Sequence, residues 1–207
     1  ESKMNFREYG LSVKNIYKKI RYDQVLGLIP QHFDILLLSL LGDLTLVGIY
    51  KFAKRLVEPI NYIVTGFNPW IQNQYSNRKI IDFSDFVKKL LLPLSTVILL
   101  IFITTGKKII ELIGSNEFAS AYEPMIILTF GYLIYLLTFW IRQALLFNEL
   151  IIYHAYGRLI YSFVFIILSI PLTYFFNVAG LAYSLSSAIA LQKIFEYIVY
   201  KKKIISE

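Results

Sequence analysis

Lys51, Lys54, Arg55 and Glu58 are the side chains whose types and spacing best suit a chemical role. They are spaced at i, i+3, i+4 and i+7, so a helix of 3.6 residues per turn places all four on one narrow face. Lys54 and Glu58 can pair at i, i+4, whereas Lys51 and Arg55 repel each other at the same spacing. The face keeps a surplus of positive charge. Inside a helix bundle it would attract an anion.

Arg142 and Asp34 are weaker candidates within apolar runs. Arg142 lies about 9 Å along a helix from Asn148, close enough for its side chain to reach the membrane interface. Asp34 opens an apolar run, so Asp34 or Glu58 could hold a coupling ion, although Asp34 could equally mark a ragged helix end. The two histidines, His32 and His154, lie near the ends of apolar runs and are expected at the interface.

Signatures of enzymes, metal sites and cofactor sites are missing from the sequence. There is no Gly-rich phosphate loop, no HExxH, no GxSxG and no DxD pair, and cysteine is absent. Asp82 and Asp85 are better explained as the cap and first turn of a helix. We therefore predict no enzymatic activity, no metal and no cofactor.

The elements that must position these residues are membrane-spanning helices. Of the 207 residues, 57% are hydrophobic and 17% charged, with a mean hydropathy of +0.57, which excludes soluble and disordered classes. The apolar runs approach the roughly 20 residues that cross a bilayer, and helices satisfy their own backbone groups in lipid. The six predicted spans are Val25 to Leu46, Val47 to Trp70, Phe86 to Thr105, Pro124 to Asn148, Leu159 to Phe176, and Val178 to Tyr200, with the last two meeting at a turn from Asn177 to Gly180.

The second predicted span is open to another interpretation, because it contains the four charges of the stripe. The segment could instead be an amphipathic helix on the membrane surface, where its cations would meet anionic lipid headgroups. We favour a continuous helix from Gly48 to Trp70, because it is long enough to span and preserves the charge distribution of the loops. Pro59, Pro69 and Pro93 are expected to kink helices.

The distribution of Lys and Arg predicts the orientation. If the N-terminus is cytoplasmic, fourteen of the 21 basic residues fall in inside segments. Both termini are then cytoplasmic. The predicted division is a basic linker at residues 1–24, a six-helix transmembrane lobe at 25–200 and a basic tail at 201–207. The net charge of +7 does not indicate nucleic acid, because the cations punctuate apolar runs rather than forming one solvated patch.

Several motifs give the sequence a resemblance to a known family. The stretch DILLLSLLGDLTLVGIYKFAKRL from Asp34 resembles the polysaccharide repeat-unit flippases of the multidrug/oligosaccharidyl-lipid/polysaccharide exporter superfamily. Asn68–Pro69 with a following polar loop, IGSNEFASAY at 113–122 and NVAGLAY at 177–183 agree with this resemblance. The likeness extends from about Val25 to the end of the chain.

The resemblance implies an all-α polytopic helix bundle, of which this chain is the C-terminal lobe of two. Such flippases move undecaprenyl-diphosphate-linked oligosaccharides across the bacterial plasma membrane by alternating access, for surface polysaccharide synthesis. The chain begins with Glu1, and we expect it to need a missing N-terminal half or a second copy. Lys51, Lys54 and Arg55 are the first candidates for contact with the diphosphate, followed by Arg142.

Three alternatives stay open at this stage. A drug or cation antiporter of the same fold would need acidic cavity residues, and Asp34 and Glu58 keep it possible. A lipid II type flippase is barely separable by sequence. A truncated membrane protein without transport activity is the third. A membrane glycosyltransferase or ligase would need a metal-binding acidic pair or a large outside loop, and both are absent.

Overall fold

The computed structural model describes residues 32–40, 44–76, 83–114 and 116–205, and these form helices joined by short breaks. The predicted linker at 1–24 and the last two residues of the tail lie outside the described residues. The helices are α1 (32–40), α2 (Leu44–Val57), α3 (Pro59–Ser76), α4 (Phe83–Phe86), a π-helical turn (Val87–Leu91), α5 (Leu92–Gly114), a 3-10 helix (Asn116–Ala121), α6 (Tyr122–Thr138), α7 (Trp140–Phe147), α8 (Ile151–Tyr200) and a π-helical end (Lys201–Ile205).

Three helical segments are long and apolar enough to cross a membrane: Val87–Gly114, Glu117–Phe147 and Ile151–Ile205. They cover the third and fourth predicted spans to within one residue, and contain the fifth and sixth. The predicted all-α membrane bundle is therefore confirmed at this level. The first two predicted spans do not match such a segment within the part of the chain that the structure describes.

The second predicted span was expected to be one continuous helix, but it is broken into two. α2 ends at Val57 and α3 begins at Pro59. Proline has no N–H group, and its ring clashes with the carbonyl four residues earlier, so a helix ends or kinks there. Pro69, by contrast, lies inside α3, which continues to Ser76. The polar segment after Asn68 is thus helical as far as Ser76, rather than a loop.

α8 is a helical hairpin rather than one straight rod. His154 Nδ1 lies 2.8 Å from Glu196 Oε1, although 42 residues separate them, and a straight helix would hold them about 63 Å apart. The reversal lies at Asn177, whose φ of 50° and ψ of −130° are non-helical. Asparagine tolerates positive φ better than most residues. This confirms the predicted turn and divides α8 into a first arm (151–176) and a second arm (178–200).

Gly180 permits the reversal, because the second arm starts directly against the backbone of the first. A Cβ atom at Gly180 would lie 1.9 Å from the carbonyl oxygen of Leu172, which is impossible without movement of the main chain. Any other residue at 180 would push the two arms apart at the turn.

α6 is the centre of the bundle and α5 lies at its edge. In the most apolar window of the α6–α7 segment 61% of the residues are buried, against 11% for α5. Gly131 of α6 lets the second arm of α8 approach closely, since a Cβ there would lie 2.9 Å from the Cα of Ser186. Small residues at helix contacts are typical of membrane bundles. The apolar side chains of α5 that face away from the bundle suit contact with lipid.

Candidate functional site

The predicted stripe forms one wall of a groove of about 540 Å³. The residues that line this basic groove are Gly48, Lys51, Phe52, Lys54, Arg55, Glu58, Phe118 and Tyr132. All but the last two come from α2 or its end, because the spacing of the stripe keeps its members on one helix face. Lys51, Arg55 and Glu58 are exposed to the groove, whereas Lys54 is partly buried. The structure therefore brings the four predicted side chains together.

Lys54 pairs with Asp34 rather than with Glu58, which corrects the predicted pairing along the helix. Its Nζ donates to Asp34 Oδ2 at 2.6 Å, with side-chain exposures of 30% and 1%. The Asp34 carboxylate also accepts a hydrogen bond from the backbone N–H of Ile35 at 2.7 Å. Asp34 is thus a buried counter-ion that fixes α1 to α2. It also lowers the positive surplus of the groove below the predicted value.

A second space, the polar cavity, has a volume of about 580 Å³ and lies between α2, α3, α6, α7 and both arms of α8. Its ionisable lining residues, besides tyrosines, are His32, Lys54, Glu58, Arg142, His154, Arg158 and Lys193. Tyr132, Tyr135, Phe139 and Tyr161 supply aromatic surface. Lys54, Glu58 and Tyr132 line both the groove and the polar cavity, so the two spaces adjoin.

Arg142 lies on the wall of the polar cavity, where it shares the space with Lys54 and Glu58. It is half-buried in α7. Of the six predicted site residues, the structure places Lys54, Glu58 and Arg142 on this cavity, Lys51 and Arg55 on the adjoining groove, and Asp34 behind Lys54.

Sequence reasoning missed a buried set of polar side chains between the two arms of α8, named here the α8 cluster: His154, Gln192, Lys193 and Glu196. Glu196 Oε1 lies 2.8 Å from His154 Nδ1 and accepts from Gln192 Nε2 at 2.7 Å, while Oε2 accepts from Lys193 Nζ at 2.7 Å. All four residues are at most 4% exposed. The Lys193 ammonium also lies 5.1 Å from the centre of the Tyr135 ring, a cation–π distance.

The backbone is shaped to admit this cluster. Gly157 of the first arm faces Glu196 and Gln192, and a Cβ there would lie 3.0 Å from Glu196 Oε1. A larger residue would displace the carboxylate from its partners. His154 is therefore a buried residue of the hairpin, whereas its expected depth near the membrane interface stays a prediction. Arg158 also lies within α8 and lines the cavity.

The available signal for the cluster was the pairing of Lys193 with Glu196 at i, i+3 within an apolar run. Ionisable residues in such runs are costly and usually have a partner. Their link to His154 depends on the register of the two arms. That register is set by the turn at Asn177 and is not visible in local spacing.

The groove and the polar cavity together can hold an anion. Six cations line the two spaces or their shared wall: Lys51, Lys54, Arg55, Arg142, Arg158 and Lys193. Among the described residues, the carboxylates between or directly behind them are those of Asp34, Glu58 and Glu196. The net charge of these described side chains is therefore positive in a space with apolar surroundings, where electrostatic attraction is stronger than in water. Within the described ranges, no group of three or more His, Asp or Glu side chains is placed to hold a metal ion.

No protein-family model, curated protein or solved structure matches this chain. The resemblance of its motifs to exporters therefore stays an expectation, and the site itself must carry any argument about function.

Proposed function

We propose that the chain is part of a membrane carrier that moves a lipid-linked anionic glycan, of the undecaprenyl-diphosphate oligosaccharide class, across a bacterial plasma membrane. The observation that carries this proposal is the continuity of the basic groove with the polar cavity inside a bundle whose outer surface is apolar. A diphosphate needs several cations, and a lipid chain can stay in the bilayer while the headgroup enters such a space.

Aromatic and polar side chains in the cavity suit the sugar part of this cargo. Tyr135, Phe139 and Tyr161 offer ring surfaces, and Asn61, Thr65 and Gln192 offer hydrogen-bonding groups on the same walls. Orientation of a ligand by a few polar groups among apolar and aromatic ones is the usual character of a binding cavity. The mechanism would be alternating access at the interface between two lobes. The second lobe would be a missing N-terminal half or another copy of this chain.

The proposed topology has both termini in the cytoplasm and six crossings. Each arm of α8 exceeds the roughly 20 residues that a crossing needs, so the hairpin would cross twice. α5 and the α6–α7 segment would cross once each. The α2–α3 pair would cross as a broken helix that lines a cavity, which is where membrane proteins tolerate irregular backbone. The first predicted span, Val25 to Leu46, would supply the sixth crossing.

A drug or cation antiporter of the same fold is the weaker proposal. Such a carrier needs a carboxylate available to a cationic substrate. Asp34 is neutralised by Lys54 at 2.6 Å, which leaves Glu58 among several cations. The excess of positive charge favours an anionic ligand.

The test is to replace Lys51, Lys54 and Arg55 by alanine together in the full protein, in cells that depend on it for surface polysaccharide. We expect lipid-linked repeat units to accumulate in the inner leaflet, where an impermeant probe added from outside does not label them. Export at the unmodified level would refute the assignment of these three cations to the headgroup.

Lys107 and Lys108 provide the matched control. Both are exposed on α5 and line neither the groove nor the polar cavity. Their replacement by alanine removes two positive charges from the protein without touching the proposed site. Export should continue, and equal loss in both variants would show that total charge matters rather than the stripe.

A further inference from the structure

The α8 cluster has a hydrogen-bonding arrangement that fixes where protons lie. Glu196 receives three donors, and an ionised carboxylate can only accept. The hydrogen on the imidazole of His154 must therefore be on Nδ1, pointing at Glu196 Oε1. The remaining nitrogen, Nε2, is the atom at which a second proton would bind. Protonation there gives an imidazolium whose Nδ1–H bond to Glu196 becomes charge-assisted and stronger.

Protonation of His154 changes the charge of the wall of the polar cavity. With a neutral imidazole, Lys193 and Glu196 balance each other. One added proton leaves the cluster with a charge of +1, on a histidine that lines the cavity. His154 is 1% exposed, so little water screens that charge.

Other groups around the cavity oppose this proton until an anion arrives. All described elements that line the cavity except α3 contribute titratable groups. These are Arg158 and Tyr161 from the first arm of α8, Lys193 from the second, Arg142 from α7, Tyr132 and Tyr135 from α6, Lys54 from α2, Glu58 from the α2–α3 break, and His32 from α1. Among the described residues, the cations of this wall outnumber the carboxylates, so in an empty cavity they oppose the imidazolium that Glu196 stabilises. A bound sulfate, with two negative charges, offsets their repulsion.

We propose that His154 is a proton-binding site coupled to the anion in the polar cavity, taking up one proton at Nε2 as the anion binds and releasing it as the anion leaves. The proton comes from water and returns to it. Glu196 is the positioning residue, because it sets the tautomer and holds the imidazolium. Linkage is reciprocal, so the proton strengthens anion binding by the same factor as the anion strengthens proton binding. The proposal rests on the proposed anion-binding function of the cavity, and it replaces Asp34 and Glu58 as the expected coupling residues.

The sequence makes the experiment direct, because it contains only two histidines. The full chain, with ¹⁵N-labelled histidine, would be held in lipid nanodiscs and titrated with sodium sulfate between about pH 6 and about pH 8, where histidine changes charge. Sulfate is the probe because its own charge is constant there. The His32→Gln variant assigns the two imidazole signals. We expect sulfate to increase the protonated fraction of His154, and an unchanged His154 signal with sulfate bound would overturn the proposal.

Affinity measurements provide a second, independent test. The dissociation constant of sulfate should rise by about tenfold per pH unit where His154 loses its proton, since one proton is linked to one anion. His154→Gln should bind sulfate with no such slope. A slope that persists in His154→Gln and disappears in His32→Gln would show that His32 binds the linked proton, and it would refute the proposal. The spectrum of the unmodified protein decides the question even if His154→Gln fails to fold.

Failure of the proton site and failure of the proposed carrier give different results. Sulfate binding that is independent of pH would refute the proton site and leave the anion cavity in place. Sulfate-dependent protonation of His154, without transport of lipid-linked glycan, would refute the carrier and retain the proton site. The absence of sulfate binding at every pH would refute both.

Discussion

The Lys54–Asp34 pair and the α8 cluster use the same chemistry in different surroundings. In the groove, Lys54 pairs with Asp34 and keeps 30% of its side chain exposed. In the α8 cluster, Lys193 and Glu196 pair with exposures of 3% and 0%. Its partial exposure leaves Lys54 room to move toward a ligand, whereas burial and three donors hold the Glu196 carboxylate in place. We therefore expect the Lys54–Asp34 pair to exchange partners more readily than the α8 cluster.

Replacing Glu196 by alanine should produce the largest effect, because it leaves the Lys193 ammonium buried without its carboxylate. Breaking a buried pair from one side costs about 3–5 kcal/mol. Thermal unfolding followed by the fluorescence of the two tryptophans, Trp70 and Trp140, measures it. Glu196→Gln should cost less, since an amide oxygen still accepts. A loss as small as that of a surface pair would mean that water reaches the cluster.

Gly131→Ala tests whether the hairpin side of the bundle is as tightly packed as its geometry requires. The added Cβ would lie 2.7 Å from Ser186 Oγ and 2.9 Å from its Cα, so the second arm of α8 must move. Overpacking of this kind costs about 1–3 kcal/mol.

Gly66→Ala is the matched control on α3, where a new Cβ meets nothing within 4 Å. Alanine in a helix interior should raise stability there by about 0.5–1 kcal/mol. A loss of stability in Gly131→Ala with a gain in Gly66→Ala would show that the contact between α6 and α8 is packed more tightly than the surroundings of Gly66 on α3. Equal changes in stability would show no such difference.

Asp34→Asn should reduce stability less than Glu196→Ala, by about 1–3 kcal/mol, because Lys54 can still reach water. The same change removes the counter-ion of Lys54 and so raises the positive charge of the groove. We expect sulfate to bind about fivefold more tightly by calorimetry, which corresponds to about 1 kcal/mol. Weaker binding would show that Asp34 positions Lys54 for the anion rather than competing with it.

The exposed pair of Asp85 and Lys89, at 2.6 Å, should have the smallest effect. The hydrogen bond and charge of Lys89 hold the pKa of Asp85 below its ordinary value. The contribution of this carboxylate to stability is thus present above its unfolded pKa and is lost as pH falls through the lower folded pKa. Lys89→Ala should return the carboxyl signal of Asp85 to an ordinary titration by ¹³C NMR, with no measurable change in the unfolding temperature, because solvent screens the pair.

The two clusters also show what sequence patterns can predict. The stripe on α2 follows from spacing alone, since a helix fixes which residues share a face. The turn at Asn177 and the three long apolar segments were also predictable, because both are read from consecutive residues in the sequence. Asp34–Lys54 and His154–Glu196 were not, because each joins residues whose separation depends on how two helices pack. Kinks were expected at Pro59 and Pro69 alike, but the sequence does not say that α2 ends before Pro59 while α3 continues past Pro69.

The hairpin also indicates to which side of the membrane the cavity opens. His154 and Glu196 lie 23 and 19 residues from Asn177, which corresponds to about 35 and about 29 Å of helix. This is about the thickness of the hydrocarbon layer, so in the proposed topology the α8 cluster and the turn lie at opposite membrane faces. With the Lys201–Lys203 tail in the cytoplasm, as the charge distribution predicts, the polar cavity would lie toward the cytoplasmic leaflet. In the carrier that we propose, the structure would correspond to the loading state, before the cargo crosses.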